Sequence, residues 1–170
     1  MAYIGAVYGR VVYGLYLLSG VLVFCVFLLI ISDVFMRLVG IKPWLYASVL
    51  VEYALLWFCM LAAPYLVRVK GHVFIDAVTQ LLPDAIRRAL AVLVYLICIV
   101  TSIVFGWYAF RLLIAAIMGG VIDTRAVDMP LWSLLLPVPI GFALVAVEFG
   151  RFLIGIDSMF IDRRKVRDSV

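Results

Sequence analysis

The sequence predicts an all-α, polytopic membrane protein with four transmembrane helices and a short amphipathic interfacial helix. Three observations predict it. Of 170 residues, 68% are hydrophobic and only 14% are charged, against about 45–50% apolar and about 25% charged in a soluble domain. A globule near this size removes only about 70% of its unfolded surface from water, so it could not hide this much apolar surface. Four long apolar runs separated by charged segments account for the excess. An ordinary soluble domain, a disordered chain and a disulfide scaffold are thereby excluded, and little length remains for a soluble catalytic domain.

The first run, 11–32, carries no charge, and the span is placed at 11–34. Only Arg10 precedes it and no small-residue cleavage site follows, so a removable signal peptide is not expected. The second uncharged run, 53–67, is the shortest. It extends to a span at 45–67 if one acid, Glu52, is tolerated. The third run, 89–110, gives a span at 88–112. Its helix can run on past Arg111 towards Gly119 and Gly120, in which case it must tilt or protrude. The fourth run, 129–147, gives a span at 130–150. Each span approaches or exceeds the roughly 20 residues that cross about 30 Å of hydrocarbon as a helix. Helix is the expected form because lipid cannot satisfy free backbone groups, and no alternating barrel pattern is present. The whole chain is expected to form one membrane domain.

Between the second and third spans, residues 72–82 divide into two faces. Phe74, Ala77, Val78, Leu81 and Leu82 share one, and His72, Asp76, Thr79 and Gln80 the other. This is the pattern of a helix lying in the membrane interface. Pro83 then suits the first position of a new helix. The element either turns the chain or docks a partner subunit.

Lys and Arg set the orientation. One side of the four spans holds ten of them: Arg10, Arg68, Lys70, Arg87, Arg88, Arg151, Arg163, Arg164, Lys165 and Arg167. The other side holds four: Arg37, Lys42, Arg111 and Arg125. Both termini and the central loop are therefore expected in the cytoplasm. The net charge of +4 reads as a topology signal rather than a nucleic-acid surface. Tyr3, Tyr8, Tyr13 and Tyr16 at the inner end, and Trp44, Tyr46 and Trp132 at the outer end, suit the headgroup level.

The chemistry-bearing residues are few. Cys25, Cys59 and Cys98 lie singly in three spans with no paired or metal-ligand spacing, and buried thiols of this kind behave as small apolar groups. His72 is the one histidine in the sequence, so a bis-histidine haem is excluded and a zinc site is not expected. The sequence contains no phosphate-binding loop, dinucleotide fingerprint or nucleophile elbow. No cofactor and no enzyme activity are expected.

Ionisable groups in or beside spans are the functional candidates of a membrane protein. Asp33 and Arg37 are four apart at the outer end of the first span and can pair on one face. Glu52 falls at similar depth in the second span. The three read either as a charge-neutralising clamp between the first two helices or as a proton or cation site at Glu52. The nearby Arg37 favours the clamp, because a paired carboxylate holds its proton poorly. Glu148 and Arg151 also fall at helical spacing and read as an interfacial pair. Gly14, Ser19 and Gly20 could permit close helix packing, and Gly5 with Gly9 forms one GxxxG. Pro64, Pro137 and Pro139 should kink or loosen their helices. No repeat relates the two halves, which weighs against a self-sufficient carrier.

Residues 52–83 read EYALLWFCMLAAPYLVRVKGHVFIDAVTQLLP. This resembles the small membrane subunit, often called the Q subunit, of the tripartite ATP-independent periplasmic (TRAP) transporters. The positions that carry the resemblance are Glu52, Trp57, Arg68, Gly71, His72, Asp76, Leu82, Pro83, Arg87 and Arg88, with Pro139, Ile140 and Gly141 in the final span. It covers nearly the whole chain in length, span count and topology. It implies a non-catalytic scaffold in a bacterial inner membrane, supporting a large multi-span membrane subunit that carries the substrate and ion sites. A periplasmic binding protein would deliver an organic acid, such as a four-carbon dicarboxylate or a sialic acid, and an ion gradient would drive uptake. Arg68 and His72 are expected to order the cytoplasmic loop. The rival readings are a small autonomous exporter using Glu52 as its proton carrier, and a membrane anchor of another complex.

Overall fold

The computed structural model describes residues 2–42, 44–69, 84–124 and 128–154. The interfacial helix expected at 72–82, with His72, Asp76 and Pro83, lies outside them. The described chain is all-α apart from one minimal hairpin. Its elements are α1 (Ala2–Leu38), α2 (Ala47–Arg68), α3 (Asp84–Met118), β1 (Ile122–Asp123), β2 (Met129–Pro130), α4 (Leu131–Leu135) and α5 (Pro137–Leu153). Four helical stretches are long and apolar enough to cross a membrane: Val7–Leu38, Ala47–Arg68, Ala89–Met118 and Leu131–Leu153.

Two of the helices outrun the bilayer. The 37 residues of α1 and the 35 of α3 correspond to roughly 50–55 Å at about 1.5 Å per residue. About 30 Å of hydrocarbon cannot cover that length without tilt or protrusion. The extension of α3 beyond Arg111 ends at Met118.

Both long helices stop by the same device. After α1, Gly40 adopts φ +76°, its N–H reaches the Arg37 carbonyl at 3.2 Å, and the Ile41 N–H reaches Met36 at 2.9 Å. After α3, Gly120 adopts φ +56°, and the N–H groups of Gly120 and Val121 reach Ile117 and Ala116. The left-handed glycine turns the backbone so that the last carbonyls find donors before the chain leaves the helix. After Gly120, β1 pairs antiparallel with β2, Ile122 opposite Pro130 and Asp123 opposite Met129. This hairpin returns the chain to the start of the fourth span.

The fourth span is interrupted only nominally. Leu136 keeps helical angles and its N–H reaches the Trp132 carbonyl at 2.9 Å, so α4 runs into α5. Pro137 stands at the first position of α5, where a missing N–H is tolerated.

Packing places the helices in the order α1, α2, α5, α3. Among the described residues the substantial interfaces are α1 with α2, α2 with α5, and α5 with α3, while α1 and α3 share no comparable contact. The row is therefore open. Its densest apolar core is Val67, Ala91, Tyr95, Phe149 and Phe152, where α2, α3 and α5 meet at one end. Tyr95 stacks on Phe152 and Phe105 on Phe142 across the α3–α5 contact. Tyr16 stacks on Tyr65 at 4.2 Å between centroids and fastens α1 to α2. Gly14 and Gly20 do not serve this interface, since an added Cβ at either would meet nothing within 4 Å. Ser19 between them is the buried member of that group.

Candidate functional site: an ionic cluster where three helices end

Ionisable groups collect at the two ends of the spans. At one end, Arg37 Nε donates to Asp33 Oδ2 at 2.9 Å, one turn apart on α1. The Asp33 Oδ1 atom is buried without a hydrogen-bond partner among the described residues. Glu52 lies exposed on α2. At the same end the Tyr53 hydroxyl approaches Asp123 Oδ2 at 3.4 Å, bringing α2 to the hairpin.

At the other end, three helices contribute to one cluster. Glu148 of α5 is only 2% exposed and lies between two guanidiniums. Arg68, in the last turn of α2, places Nε 3.5 Å from Oε1. Arg151, one turn after Glu148, places Nη1 3.3 Å from Oε2. Tyr8 of α1 lies beneath both, with the Arg68 and Arg151 guanidinium carbons 5.4 and 5.5 Å from its ring centroid. Cation–π contacts of this kind gain strength when water is excluded. A Cβ at Gly9 would stand 3.2 Å from Arg68 Nη1, so the second glycine of the GxxxG makes room for this arginine.

The sequence located Glu148 and Arg151 as a pair and Arg68 as a loop residue, but it did not join them. Arg68 and Glu148 are distant in sequence, and only the α2–α5 contact brings them together. The one legible sign was an acid in an otherwise apolar last span.

Between the two ends, α2 meets α4 and α5 through backbone carbonyls that proline has released. Pro137 lacks the N–H that would bond Ser133, and the Trp57 indole Nε1 donates to that carbonyl at 3.0 Å. Pro64 likewise leaves the Met60 carbonyl without its helical donor. Gly141 lies against it, so closely that a Cβ there would stand 2.9 Å from the Met60 oxygen. Among the described residues no three His, Cys, Asp or Glu side chains are grouped to hold a metal ion.

Comparison with known proteins gives a place to this apolar row tied by ion pairs at its ends. Residues 12–156 match the family described as the DctQ component of the tripartite ATP-independent periplasmic transporters. The chain belongs to this DctQ family. It is also 31% identical over 136 residues to the C4-dicarboxylate TRAP transporter small permease protein DctQ of Pseudomonas aeruginosa. That alignment covers 76% of this chain and 61% of the relative, so the chain spans about three-fifths of the curated relative it matches. No solved structure matches the chain. The DctQ match includes Arg68, Glu148 and Arg151, while Tyr8 and Gly9 precede it. With its four apolar helices, the chain is an integral membrane component of a transporter family.

Proposed function

We propose that this chain is the small permease subunit of a TRAP-type secondary transporter and acts in it as a non-catalytic scaffold. The observation that carries the reading is the open row of helices. Most side chains of α1 and α3 are exposed and apolar, and the described charges of the row lie at its ends rather than along a path through it. Such a row offers surface to lipid and to another membrane subunit, but among its described residues no polar route for a charged solute. A large multi-span subunit would complete the row, carry the substrate and ion sites, and receive substrate from a periplasmic binding protein. The name of the Pseudomonas relative favours a four-carbon dicarboxylate among organic acids as the substrate class. The excess of Lys and Arg at the Arg68–Arg151 end supports both termini in the cytoplasm of a bacterium, with the hairpin outside.

The test is reconstitution. The chain is co-expressed with a large TRAP permease from the same organism, and the purified complex is placed in liposomes with the binding protein, a labelled four-carbon dicarboxylate and a sodium gradient. Uptake should require all three proteins. Uptake by this chain alone, or undiminished uptake without it, would overturn the scaffold reading.

A further inference from the structure

We infer that Arg68 and Arg151 hold the phosphate of an anionic phospholipid headgroup. Among the described residues of the cluster, two guanidiniums face one carboxylate, which leaves one positive charge uncompensated. The existing contacts do not saturate the arginines either. Their N···O distances of 3.3–3.5 Å exceed the roughly 2.7–2.9 Å of a tight charge-assisted hydrogen bond, and each guanidinium carries about five N–H donors. Tyr8 covers a face of each. The N–H groups lie along the edges of a guanidinium, so stacking leaves them available.

Exposure separates the cations from the carboxylate. The Glu148 side chain is 2% exposed, whereas those of Arg68 and Arg151 are 22% and 26% exposed. The carboxylate is sealed inside and the cations reach the surface. The surface they reach is the boundary of the apolar span, since Val69 and Ile154, close by in sequence, are exposed apolar residues. Arg10, two positions after Tyr8 on α1, is exposed at the same end and adds to the positive field. Two cations held over one ring repel each other in a medium of low dielectric, and a phosphodiester between them relieves that repulsion. Basic side chains gathered between helices at headgroup depth are a known form of lipid recognition. Lipid is favoured over free phosphate because both guanidiniums reach the surface beside exposed apolar residues at the ends of their spans. The inference rests on the membrane reading and is independent of the transport role.

The test uses the purified full chain and native mass spectrometry with phosphatidylglycerol and phosphatidylcholine of equal chain length. Retention of phosphatidylglycerol should exceed that of phosphatidylcholine by about fivefold, the effect of roughly one basic residue near a membrane surface. Arg151→Gln should abolish the preference. Because that variant can unfold by exposing Glu148 to a single partner, Glu148→Gln is tested beside it. Removing the internal anion raises the net charge of the cluster, so the preference should increase. Equal retention of the two lipids by the wild type, or a preference unmoved by both substitutions, would overturn the site. Full displacement of phosphatidylglycerol by millimolar inorganic phosphate would overturn its assignment to a lipid.

Discussion

At the scale of single residues, glycines in the same molecule have opposite meanings. Gly141 is a contact residue, because an added Cβ would strike the Met60 carbonyl at 2.9 Å and the Met60 Cβ at 3.0 Å. Backbone cannot yield as a flexible side chain would, so the helices must separate. Gly141→Ala should destabilise the chain by about 1–3 kcal/mol, the usual range for overpacking. Gly20→Ala meets nothing within 4 Å and should leave stability within about 0.5 kcal/mol. Unfolding of both variants in mixed micelles by denaturing detergent checks the pair. Equal losses would show that α2 and α5 do not approach as closely as described. The sequence offers Gly20 for close helix packing and singles out Gly141 only within the Pro139-Ile140-Gly141 element, the reverse of what the contacts show. Which glycine touches a second helix depends on how the spans are rotated, and rotation in lipid is set by packing rather than by an amphipathic stripe. The same reason explains Arg68. Its place after an apolar run identified it as a boundary residue, but its link to Glu148 depends on which helices become neighbours.

At the scale of elements, the spans were legible because the bilayer imposes one length and one polarity on all of them. The ends were less so. The left-handed glycines that stop α1 and α3 act through local hydrogen bonds, and β1 and β2 are only two residues each, too short to leave a periodic pattern. The prolines were expected to loosen their helices. Pro64 and Pro137 each free a carbonyl that faces the neighbouring helix, as membrane helices with freed backbone groups require. This has a measurable consequence at Trp57. Trp57→Phe removes the donor to the Ser133 carbonyl and should cost about 1–2 kcal/mol, since a part-buried acceptor loses its donor. Pro137→Ala restores a backbone N–H that can take the same carbonyl. In that background Trp57→Phe should cost less than about 0.5 kcal/mol, the scale of a substitution that orphans no polar group. A double-mutant cycle of the four proteins measures the coupling, and equal costs in both backgrounds would mean that Pro137 does not govern the Trp57 contact.

At the scale of the whole molecule, α1 is the helix held least among the described residues. It makes its main contact with α2 alone, and most of its large apolar side chains from Val11 to Phe35 are exposed. Its described attachments are few: the Tyr16 and Tyr13 rings on Tyr65, the Tyr8 ring under two arginines, and buried Val12, Ser19 and Val26. Tyr65 is thus the common point of two aromatic contacts, each worth about 0.5–1.5 kcal/mol beyond the area it covers. Tyr65→Ala should therefore loosen α1 from α2 in the isolated chain, lowering the unfolding midpoint. If the row is completed by a larger subunit, as the scaffold role requires, α1 gains a second surface there and the same substitution should matter less. The measurement is the shift in Tm caused by Tyr65→Ala in the chain alone and in the co-purified complex. A clear shift alone with a smaller one in the complex supports an open row that its partner closes. An equal shift in both would mean that the partner leaves α1 uncovered, and the covered surface would then have to lie along α3 or α5.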